Sequence, residues 1–415
     1  MRTLRSIRAL PPAVRLLLVN QLGVNTGFYL LVPYLATHLG QDLGLSAAAV
    51  GVVLGVRNLS QQGLFIIGGS AADRLGARGV IIAGCALRTV GFALFALGDG
   101  LAVLIAASVL SGLAGALFNP AVRTCLAQEA SDEQRAEAFA LFNVFATTGA
   151  LIGPLLGTVL LLVDFRAAAL TAAGIFALLT VAQALALPTR PLPRTSTRVL
   201  GDWQEVAGDR RFTAFALALV GVYVLESQLY LLLPDQARRA TGWDGAVSLL
   251  FLTSTVANLA LQLRITRRLQ ASGSRGRWIA AGLLLMGLAF LPPLLDDGLP
   301  ALLLTVLLLH LGVMVAQPFV MELIPAFGRP ELTGTYYGLF YVVSGLAAAL
   351  GNAAVGRAMD TADWAPWLLC CAIGLTGAAA VAALQRSRRL PSPAAAAVPH
   401  EAPTVTEPSE PSGSR

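Results

Sequence analysis

Residues 69–79 read GSAADRLGARG and join two long apolar segments of the chain. Asp73 and Arg74 stand at the centre of this stretch, with Gly69 before them and Gly76 after them. A carboxylate such as Asp73 can pair with an arginine or with the N-terminus of a helix, Gly69 lets two helices approach closely, and Gly76 permits a tight turn. We therefore expect a compact charged turn that can latch one conformation of the molecule.

The composition places the surrounding chain in a membrane. Only 13% of the 415 residues are charged and 56% are hydrophobic, whereas a soluble domain carries about a quarter charged residues. All 29 basic residues are arginine, which excludes chemistry that needs a lysine amine, such as a Walker A phosphate loop or a Schiff base. The four cysteines lie on or beside apolar stretches without metal-ligand spacing, so we expect neither a disulfide nor a metal site.

A spanning helix needs roughly 20 mostly apolar residues, and this criterion predicts twelve spans. The apolar run after the first arginines is interpreted as a retained helix, because more spans follow and no small-residue cleavage site is evident. The predicted spans are 14–36, 47–69, 79–98, 101–122, 138–163, 167–187, 212–233, 246–264, 278–295, 299–325, 334–357 and 365–385.

The distribution of arginine between the spans predicts the orientation. Cytoplasmic loops are enriched in arginine, and with the N-terminus inside, the inside segments hold 21 arginines against four outside. We therefore expect a multi-pass protein of the plasma membrane with both termini in the cytoplasm. The excess of arginine over acidic residues is therefore explained by the orientation in the membrane, so no nucleic acid partner is expected.

The longest internal polar segment divides the chain into two halves of six spans. We predict an N-terminal bundle at 1–187, a cytoplasmic linker at 188–211, a C-terminal bundle at 212–386 and a disordered cytoplasmic tail at 387–415. At a constant offset of 198 positions, LFNV at 141–144 matches LFYV at 339–342, which indicates an internal duplication. Two homologous halves around a central site are typical of secondary transporters.

The loop at 69–79 resembles the G-x-x-x-D-R-x-G-R-K loop of the major facilitator superfamily. The resemblance implies an all-α membrane fold of twelve helices in two pseudo-symmetric bundles. Its gating residues would be Gly69, Asp73, Arg74, Gly76 and Arg78. The sequence departs from the pattern at residue 77, where an alanine replaces the usual basic residue.

Span five carries a second resemblance. Gly149, Gly153, Pro154 and Gly157 resemble the antiporter motif of the drug:proton antiporters of that superfamily. Glycines four residues apart share one helix face and let a neighbouring helix approach, while the proline bends the helix. This face is interpreted either as a seal between the rocking halves or as an ordinary packing face. Span four has Ser108 near the place where the family carries an arginine.

The region 50–90 is similar to a bacterial multidrug efflux branch of the family, with Arg57 and Arg88 at comparable places. Charged side chains inside a membrane are costly and are therefore functional candidates. These two arginines have three interpretations: they bind an anionic group of the substrate, polarise a proton relay, or pair with polar groups of other helices.

Glu226 is the carboxyl placed deepest in a predicted span, about eight residues from the outer end and hence roughly 12 Å deep. A carboxyl at this depth can alternate between protonated and charged forms, which makes Glu226 the leading proton-coupling candidate. The alternative is that Glu226 pairs with an arginine or with Gln228 for packing. His310 is a second candidate, because its imidazole titrates near neutral pH, or else a packing residue.

Alternating access requires polar and aromatic groups that face the space between the halves. Tyr223, Glu226 and Tyr230 are spaced three and then four residues apart, so they share a helix face. An aromatic, weakly polar cavity suits amphipathic organic compounds. The substrate-cavity candidates are Asn20, Gln21, Asn25, Tyr29, Arg57, Arg88, Asn143, Tyr223, Tyr230, Tyr337 and Tyr341.

We therefore predict a secondary transporter that exports a lipophilic or amphipathic small molecule in exchange for protons. The bilayer and the substrate are its expected partners, the proton gradient supplies the energy without a cofactor, and we expect a monomer. One alternative is a proton-linked carrier of a single metabolite or organic acid, and another is a membrane receptor of the same fold that transports nothing. No catalytic triad or metal cluster can be assembled from these residues, so an enzyme is not expected.

Overall fold

The structure is a computed structural model that describes residues 7–98, 100–189, 199–243, 245–270 and 275–391. The regular elements of this part of the chain are helices. The first half comprises α1 (Pro12–Thr37), α2 (Ala47–Gly63), α3 (Phe65–Leu75), α4 (Ala77–Leu97), α5 (Leu101–Glu129), α6 (Arg135–Leu161) and α7 (Phe165–Ala186).

A short helix, α8 (Val199–Gly208), precedes the second half and lies within the predicted linker. Residues 190–198 of that linker and 392–415 of the predicted tail lie outside the described residues. The second half comprises α9 (Arg210–Ala218), α10 (Val220–Ser227), α11 (Leu232–Thr241), α12 (Gly245–Gln270), α13 (Arg275–Leu288), α14 (Leu299–Leu323), α15 (Thr333–Met359) and α16 (Ala365–Arg386).

In the described part of the chain, eleven helical segments are long and apolar enough to cross a membrane. The remaining predicted span, at 47–69, consists of α2 and α3, which meet at Leu64 and continue to Leu75. The predicted span at 212–233 is also interrupted, because α9, α10 and α11 follow one another from Arg210 to Thr241. The twelve predicted apolar stretches therefore correspond to twelve helical passes.

One predicted boundary was wrong in a way that matters for the site. Span four was predicted to end at residue 122, but α5 continues to Glu129 and has Pro120 within it. A proline removes one backbone donor and commonly bends a helix without ending it when neighbouring helices supply packing. Arg123, which was assigned to a loop, therefore lies inside a helix.

The glycines of span five pack α6 against α1 inside the first half. An added Cβ at Gly149 would meet the backbone of Leu22, one at Gly153 would lie 2.7 Å from the carbonyl oxygen of Thr26, and one at Gly157 would meet Leu30. The two backbones are thus in direct contact along three helical turns. This face therefore packs two helices of the same half against each other, and its interpretation as a seal stays a prediction.

The two halves meet at one end of the molecule, which we call the arginine-rich end and which carries the described segments near residues 76, 130–134, 187–189, 199–209 and 324–332. There α3 packs closely on α15, and α6 packs on α12 and α14. In contrast, α2, which continues the span of α3 toward the opposite end, hardly touches α15. We call the region between α1 and α2 on one side and α10 and α15 on the other the cleft, because these helices of the two halves make few contacts with each other.

Replacement of Gly153 by alanine tests the contact between α1 and α6. We expect Gly153→Ala to destabilise the protein by about 1 to 3 kcal/mol, because the new methyl group meets backbone atoms that cannot rotate away. Gly174→Ala in α7 is the matched control, because its methyl group points into open space and alanine favours a helix by up to about 1 kcal/mol. Thermal unfolding in detergent measures both, and equal melting temperatures for the two variants would contradict the proposed contact.

Candidate functional site

The Asp73 carboxylate binds the N-terminus of α15 at the arginine-rich end. The backbone N–H of Gly334 donates to Oδ1 at 2.6 Å, and the N–H and hydroxyl of Thr335 each donate to Oδ2 at 2.6 Å. Asp73 is only 5% exposed, so these donors replace its water. A helix N-terminus carries unpaired N–H groups and partial positive charge, which makes it a natural partner for a carboxylate. This contact joins the first half to the second.

Two glycine contacts allow α3 and α15 to come this close. An added Cβ at Gly69 would collide with the carbonyl oxygen of Gly334, and one at Gly338 would lie 2.6 Å from the carbonyl oxygen of Phe65. Gly76 has a φ of +84°, a conformation that side chains rarely adopt, where the chain turns from α3 into α4. The loop at 69–79 thus forms the expected tight turn and helix contact.

The arginines of this loop bind elsewhere. Arg74 Nη2 contacts Oδ2 of Asp202 on α8 at 2.5 Å, and Arg78 Nη2 donates to the carbonyl oxygen of Ala184 at 2.6 Å. Trp203 of α8 donates from Nε1 to Oγ of Ser70 at 2.6 Å. The linker helix is thereby fixed to the gating loop.

The linker helix also reaches the second half. Arg329 Nη2 contacts Oε2 of Glu205 at 2.7 Å, with both side chains about half exposed. Asp209, the residue after α8, makes a second contact with this half: its Oδ2 accepts a hydrogen bond from the Tyr336 hydroxyl of α15 at 3.1 Å. α8 and the residue that follows it therefore span the closed end.

A second set of contacts closes the halves between α6 and α12. Arg267 Nη2 lies 2.7 Å from Oε1 of Glu137, and Asn143 Nδ2 donates to Oε1 of Gln262 at 3.4 Å. Asn143, a predicted cavity residue, thus lies at the boundary between the halves.

Arg123 is an interface residue that the sequence analysis missed. Its guanidinium lies over the ring of Tyr341 at 4.9 Å and over that of Phe142 at 5.4 Å, so the cation contacts aromatic rings of both halves. Nη1 donates to the carbonyl oxygen of Asn119 in the same helix. Pro120 suggested that the helix ends near residue 122, but the helix continues through it to Glu129, so Arg123 lies at the interface and not in a loop.

Glu226 lies near the end of α10, where the seventh span is interrupted before α11 begins at Leu232. Among the residues that the structure describes, Glu226 makes no hydrogen bond or ion pair. Gln228, its predicted alternative partner, points to α15 and donates to Oδ1 of Asn352 at 3.0 Å and to the carbonyl oxygen of Val224 at 2.7 Å. Gln228 thus bonds to α15 and to its own helix, and it does not pair with Glu226.

Two predicted cavity residues of the first half meet at the ring of Phe28. The guanidinium carbon of Arg57 in α2 lies 5.2 Å from the centre of this ring, and the ring of Tyr29 packs edge to face on it at 5.2 Å. In the second half, Tyr230 lies at the interruption of the seventh span, is 69% exposed and packs on Phe251 with ring centres 5.5 Å apart.

Arg88 of α4 is buried in the first half, with only 5% of the residue exposed. Its guanidinium carbon is 5.3 Å from the centre of the Phe118 ring, 5.6 Å from Phe176 and 5.8 Å from Phe28. Within the described residues no carboxylate pairs with it. Cation–π contacts with three rings hold this charge in place.

Several predicted cavity residues serve the packing inside one half. Asn20 is 1% exposed and accepts a hydrogen bond from Gln183 Nε2 of α7 at 2.6 Å, so it faces the interior of the first half and not the cleft. Gln21 donates to Asn25 at 3.0 Å, and Asn25 donates to the carbonyl oxygen of Ala146, which fixes α1 to α6.

Predicted site residues of the second half also make hydrogen bonds within their own half. Tyr337 is fully buried and donates to the carbonyl oxygen of Met321 at 2.8 Å, and His310 Nδ1 lies 3.0 Å from the carbonyl oxygen of Val306 in its own helix. Tyr223 accepts a hydrogen bond from Gln317 Nε2 at 3.4 Å. These three side chains therefore make hydrogen bonds within the second half.

Twelve helical passes in two halves that close on each other at one end define the two-bundle class of membrane transporters. Residues 17–352 match the family model described as Major Facilitator Superfamily. The chain belongs to the major facilitator superfamily, and it is an integral protein of the inner membrane.

Three known transporters agree with this assignment. The chain is 42% identical over 390 residues to an uncharacterised MFS-type transporter of Mycobacterium tuberculosis, covering 90% of this chain and 92% of that protein. It is 33% identical over 364 residues to the multidrug resistance protein MdtH of Photorhabdus laumondii, covering 86% of this chain and 91% of that protein. The Escherichia coli fucose:proton symporter FucP shares its fold, with a TM-score of 0.71, 16% identity, and coverage of 90% of this chain and 98% of FucP.

Replacement of Asp73 by asparagine tests the latch at the arginine-rich end. The amide offers a single acceptor oxygen and places its own N–H groups against the donors of Gly334 and Thr335, so we expect Asp73→Asn to open this end more often. Cys125 lines a cavity of about 460 Å³ at this end together with Asp73, Pro330 and Glu331. We expect a maleimide to alkylate Cys125 several-fold faster in the Asp73→Asn protein than in the original protein, as measured by mass spectrometry.

Cys371 in α16 serves as the internal control, because both cysteines are 6% exposed in the closed state. Its alkylation rate should not change in the Asp73→Asn protein. Equal rates at Cys125 in the original and substituted proteins would contradict the latch.

Proposed function

We propose that the protein exports amphipathic small molecules in exchange for protons by alternating access, and that Glu226 carries the proton. The observation that carries this proposal is the Glu226 carboxyl, which has no hydrogen-bond or ion-pair partner among the described residues and stands beside the interruption of the seventh span. Discontinuous helices near the centre of the membrane are a common way to build the sites of secondary transporters.

The contrast with Glu322 explains why an unpaired carboxyl supports proton transfer. Glu322 is fully buried and forms a forked pair with Arg275, whose Nη2 lies 3.0 Å from Oε1 and whose Nε lies 3.1 Å from Oε2. Neutralising Glu322 would leave a buried arginine without its partner, which costs several kcal/mol. Glu226 can gain and lose a proton without breaking such a pair.

The gate contacts support alternating access. In this structure the arginine-rich end is closed by Asp73 and by the contacts of α6 with α12, whereas toward the opposite end α2 hardly touches α15. With the predicted orientation, the arginine-rich end faces the cytoplasm, so this state receives protons from outside. Export then requires a second state in which the Asp73 contact is broken and the cleft opens to the cytoplasm.

The aromatic groups of the cleft support an amphipathic substrate. Tyr29 packs edge to face on Phe28 with ring centres 5.2 Å apart, and Tyr230 packs on Phe251 at 5.5 Å. Such rings offer apolar area beside a few polar groups, a combination that binds organic compounds. The relatives named as multidrug resistance proteins support the same class of substrate.

The energy balance of the exchange is favourable. Moving one proton charge through 100 mV releases about 2.3 kcal/mol, and a tenfold concentration gradient costs about 1.4 kcal/mol. One proton can therefore sustain a gradient of roughly 50-fold for a neutral substrate, and we propose that a single chain does this without a bound cofactor.

Replacement of Glu226 by glutamine tests the proposal. Glu226→Gln keeps the size of the side chain but cannot release a proton, so we expect it to abolish transport driven by a pH gradient. Inside-out membrane vesicles measure this as the loss of compound-induced proton efflux across a panel of amphipathic dyes and drugs. We expect the melting temperature to stay the same, because the carboxyl has no partner to lose.

Glu322→Gln is the matched control for stability. This substitution weakens a buried ion pair, so it should lower the melting temperature, while pH-gradient-driven transport by the folded fraction should persist. Normal coupled transport by the Glu226→Gln protein would reject the assignment of the proton to this carboxyl.

A further inference from the structure

Arg123 differs from most arginines near the closed end because it forms no ion pair with a residue that the structure describes. Its Nη1 donates to the carbonyl oxygen of Asn119 at 3.0 Å, while Nε and Nη2 have no oxygen acceptor in that part of the chain. A cation that is partly removed from water normally has a negative partner, so a ligand can supply the missing charge. Five other arginines of this end lie 2.5 to 3.0 Å from an aspartate or glutamate oxygen: Arg74, Arg135, Arg267, Arg275 and Arg329.

The side chain of Arg123 starts deeper in the molecule than these ion pairs. Arg123 stands six residues before the end of α5, and Gln317 stands six residues before the end of α14. Tyr341 stands eight residues after the start of α15. At 1.5 Å per residue, all three lie about 9 to 12 Å from the helix ends that form the arginine-rich end. The three residues therefore occupy one level, above the gate contacts.

A small cavity lies at this level between the two halves. Its volume is about 40 Å³, and it is lined by Arg123, Phe142 and Asn143 of the first half and by Gln317 and Met321 of the second. One ordered water needs about 10 to 15 Å³ of such space, so the cavity admits a group of about three heavy atoms. A carboxylate has this size, whereas a ring does not fit.

The two amides that line the cavity have unused hydrogen-bonding capacity. Gln317 donates from Nε2 to the Tyr223 hydroxyl at 3.4 Å, and its Oε1 is buried without a partner. Asn143 donates from Nδ2 to Gln262, and its Oδ1 has no partner among the described residues. A half turn exchanges the oxygen and nitrogen of an amide, and a tyrosine hydroxyl can donate as well as accept. Gln317 can therefore offer an N–H to an anion and keep its bond to Tyr223.

The position of Arg123 between the halves distinguishes it from the other arginines of the spans. Arg57 and Arg88 contact aromatic rings of the first half, whereas the Arg123 guanidinium lies 5.4 Å from the Phe142 ring of the first half and 4.9 Å from the Tyr341 ring of the second. An anion at Arg123 would touch both halves, so its affinity would depend on their relative position. A ligand shifts a conformational equilibrium only through such a dependence.

We propose that Arg123 binds the carboxylate of an amphipathic organic acid in the cavity between the halves, with the amides of Asn143 and Gln317 beside it. This inference rests on the proposed function and names its substrate class. The planar guanidinium matches a carboxylate with two parallel N–H···O bonds, and its cation–π contacts leave Nε and Nη2 available for them. Because the cavity admits only the anionic group, the apolar body of the substrate lies outside it.

The test compares two fluorescent probes with the purified full-length protein in detergent near neutral pH. Dansyl-glycine carries a carboxylate, and dansyl-glycinamide has the same body without the charge. The dansyl fluorescence reports binding. We expect dansyl-glycine to bind about tenfold more tightly than the amide, because the amide lacks the charge-assisted hydrogen bonds to Arg123.

Substitutions at the cavity should change this preference. Arg123→Gln should reduce the tenfold ratio to about one, by weakening the binding of dansyl-glycine and not that of its amide. Arg123→Lys keeps the charge and should retain a preference of several-fold, which separates charge recognition from a folding defect. Gln317→Glu places a carboxylate in the cavity wall and should abolish the preference, because this carboxylate competes with the probe. Arg357→Gln, at an exposed arginine near the far end of α15, is the control and should leave the ratio unchanged.

Equal affinities for the two probes, absence of dansyl-glycine binding, or an unchanged ratio in Arg123→Gln would each overturn the inference. The measurements are made at physiological chloride concentration, so a site for free chloride would show no preference and would overturn the assignment to the substrate.

Binding in detergent needs no proton gradient, so this result is independent of the transport assay. Equal probe affinities together with loss of gradient-driven transport in Glu226→Gln would reject the carboxylate site and leave the proposed function standing. Normal coupled transport by Glu226→Gln together with the expected probe ratios would reject the proton assignment and support the carboxylate site.

Discussion

The contact of Asp73 with the N-terminus of α15 determines which end of the molecule is closed. A buried carboxylate is stable only while something replaces its water, and here the N–H groups of Gly334 and Thr335 do so from the other half. The contact is therefore all or nothing: when the halves separate, the carboxylate must be rehydrated and three donors must find new partners. Such an interaction favours two discrete states over a gradual change of shape.

Backbone packing explains why this one contact can hold an entire end. Gly69 and Gly338 let α3 and α15 touch along their backbones, so the carboxylate meets the helix end without a gap. The linker helix α8 adds contacts on the same side, from Trp203 to Ser70 and from Glu205 to Arg329. Glu205 and Arg329 are exposed, and an exposed pair contributes little stability. The buried carboxylate is thus the principal bond, and α8 reinforces it.

The sequence predicted the parts that depend on local pattern. Apolar length located the twelve passes, and glycine spacing located the turn at Gly76. It could not predict partners distant in sequence, because nothing near Asp73 specifies that its donors lie at Gly334. Arg123 was misassigned for a related reason: a loop arginine and an interface arginine look alike until the helix end is known. Glu226 was identified by its depth, but its lack of a partner follows from Gln228 turning toward α15.

The position of Glu226 gives the proposed exchange a physical basis. Glu226 stands beside the interruption between α10 and α11, so a change in its charge would act where the helix is least constrained by its own hydrogen bonds. The proposed proton changes the charge of this carboxyl, whereas Arg57 and Arg88 keep their charges because an arginine does not deprotonate in a protein. A ligand shifts a two-state equilibrium only through a difference in its free energy of interaction with the two states, and the proposed proton would act through such a difference at Glu226.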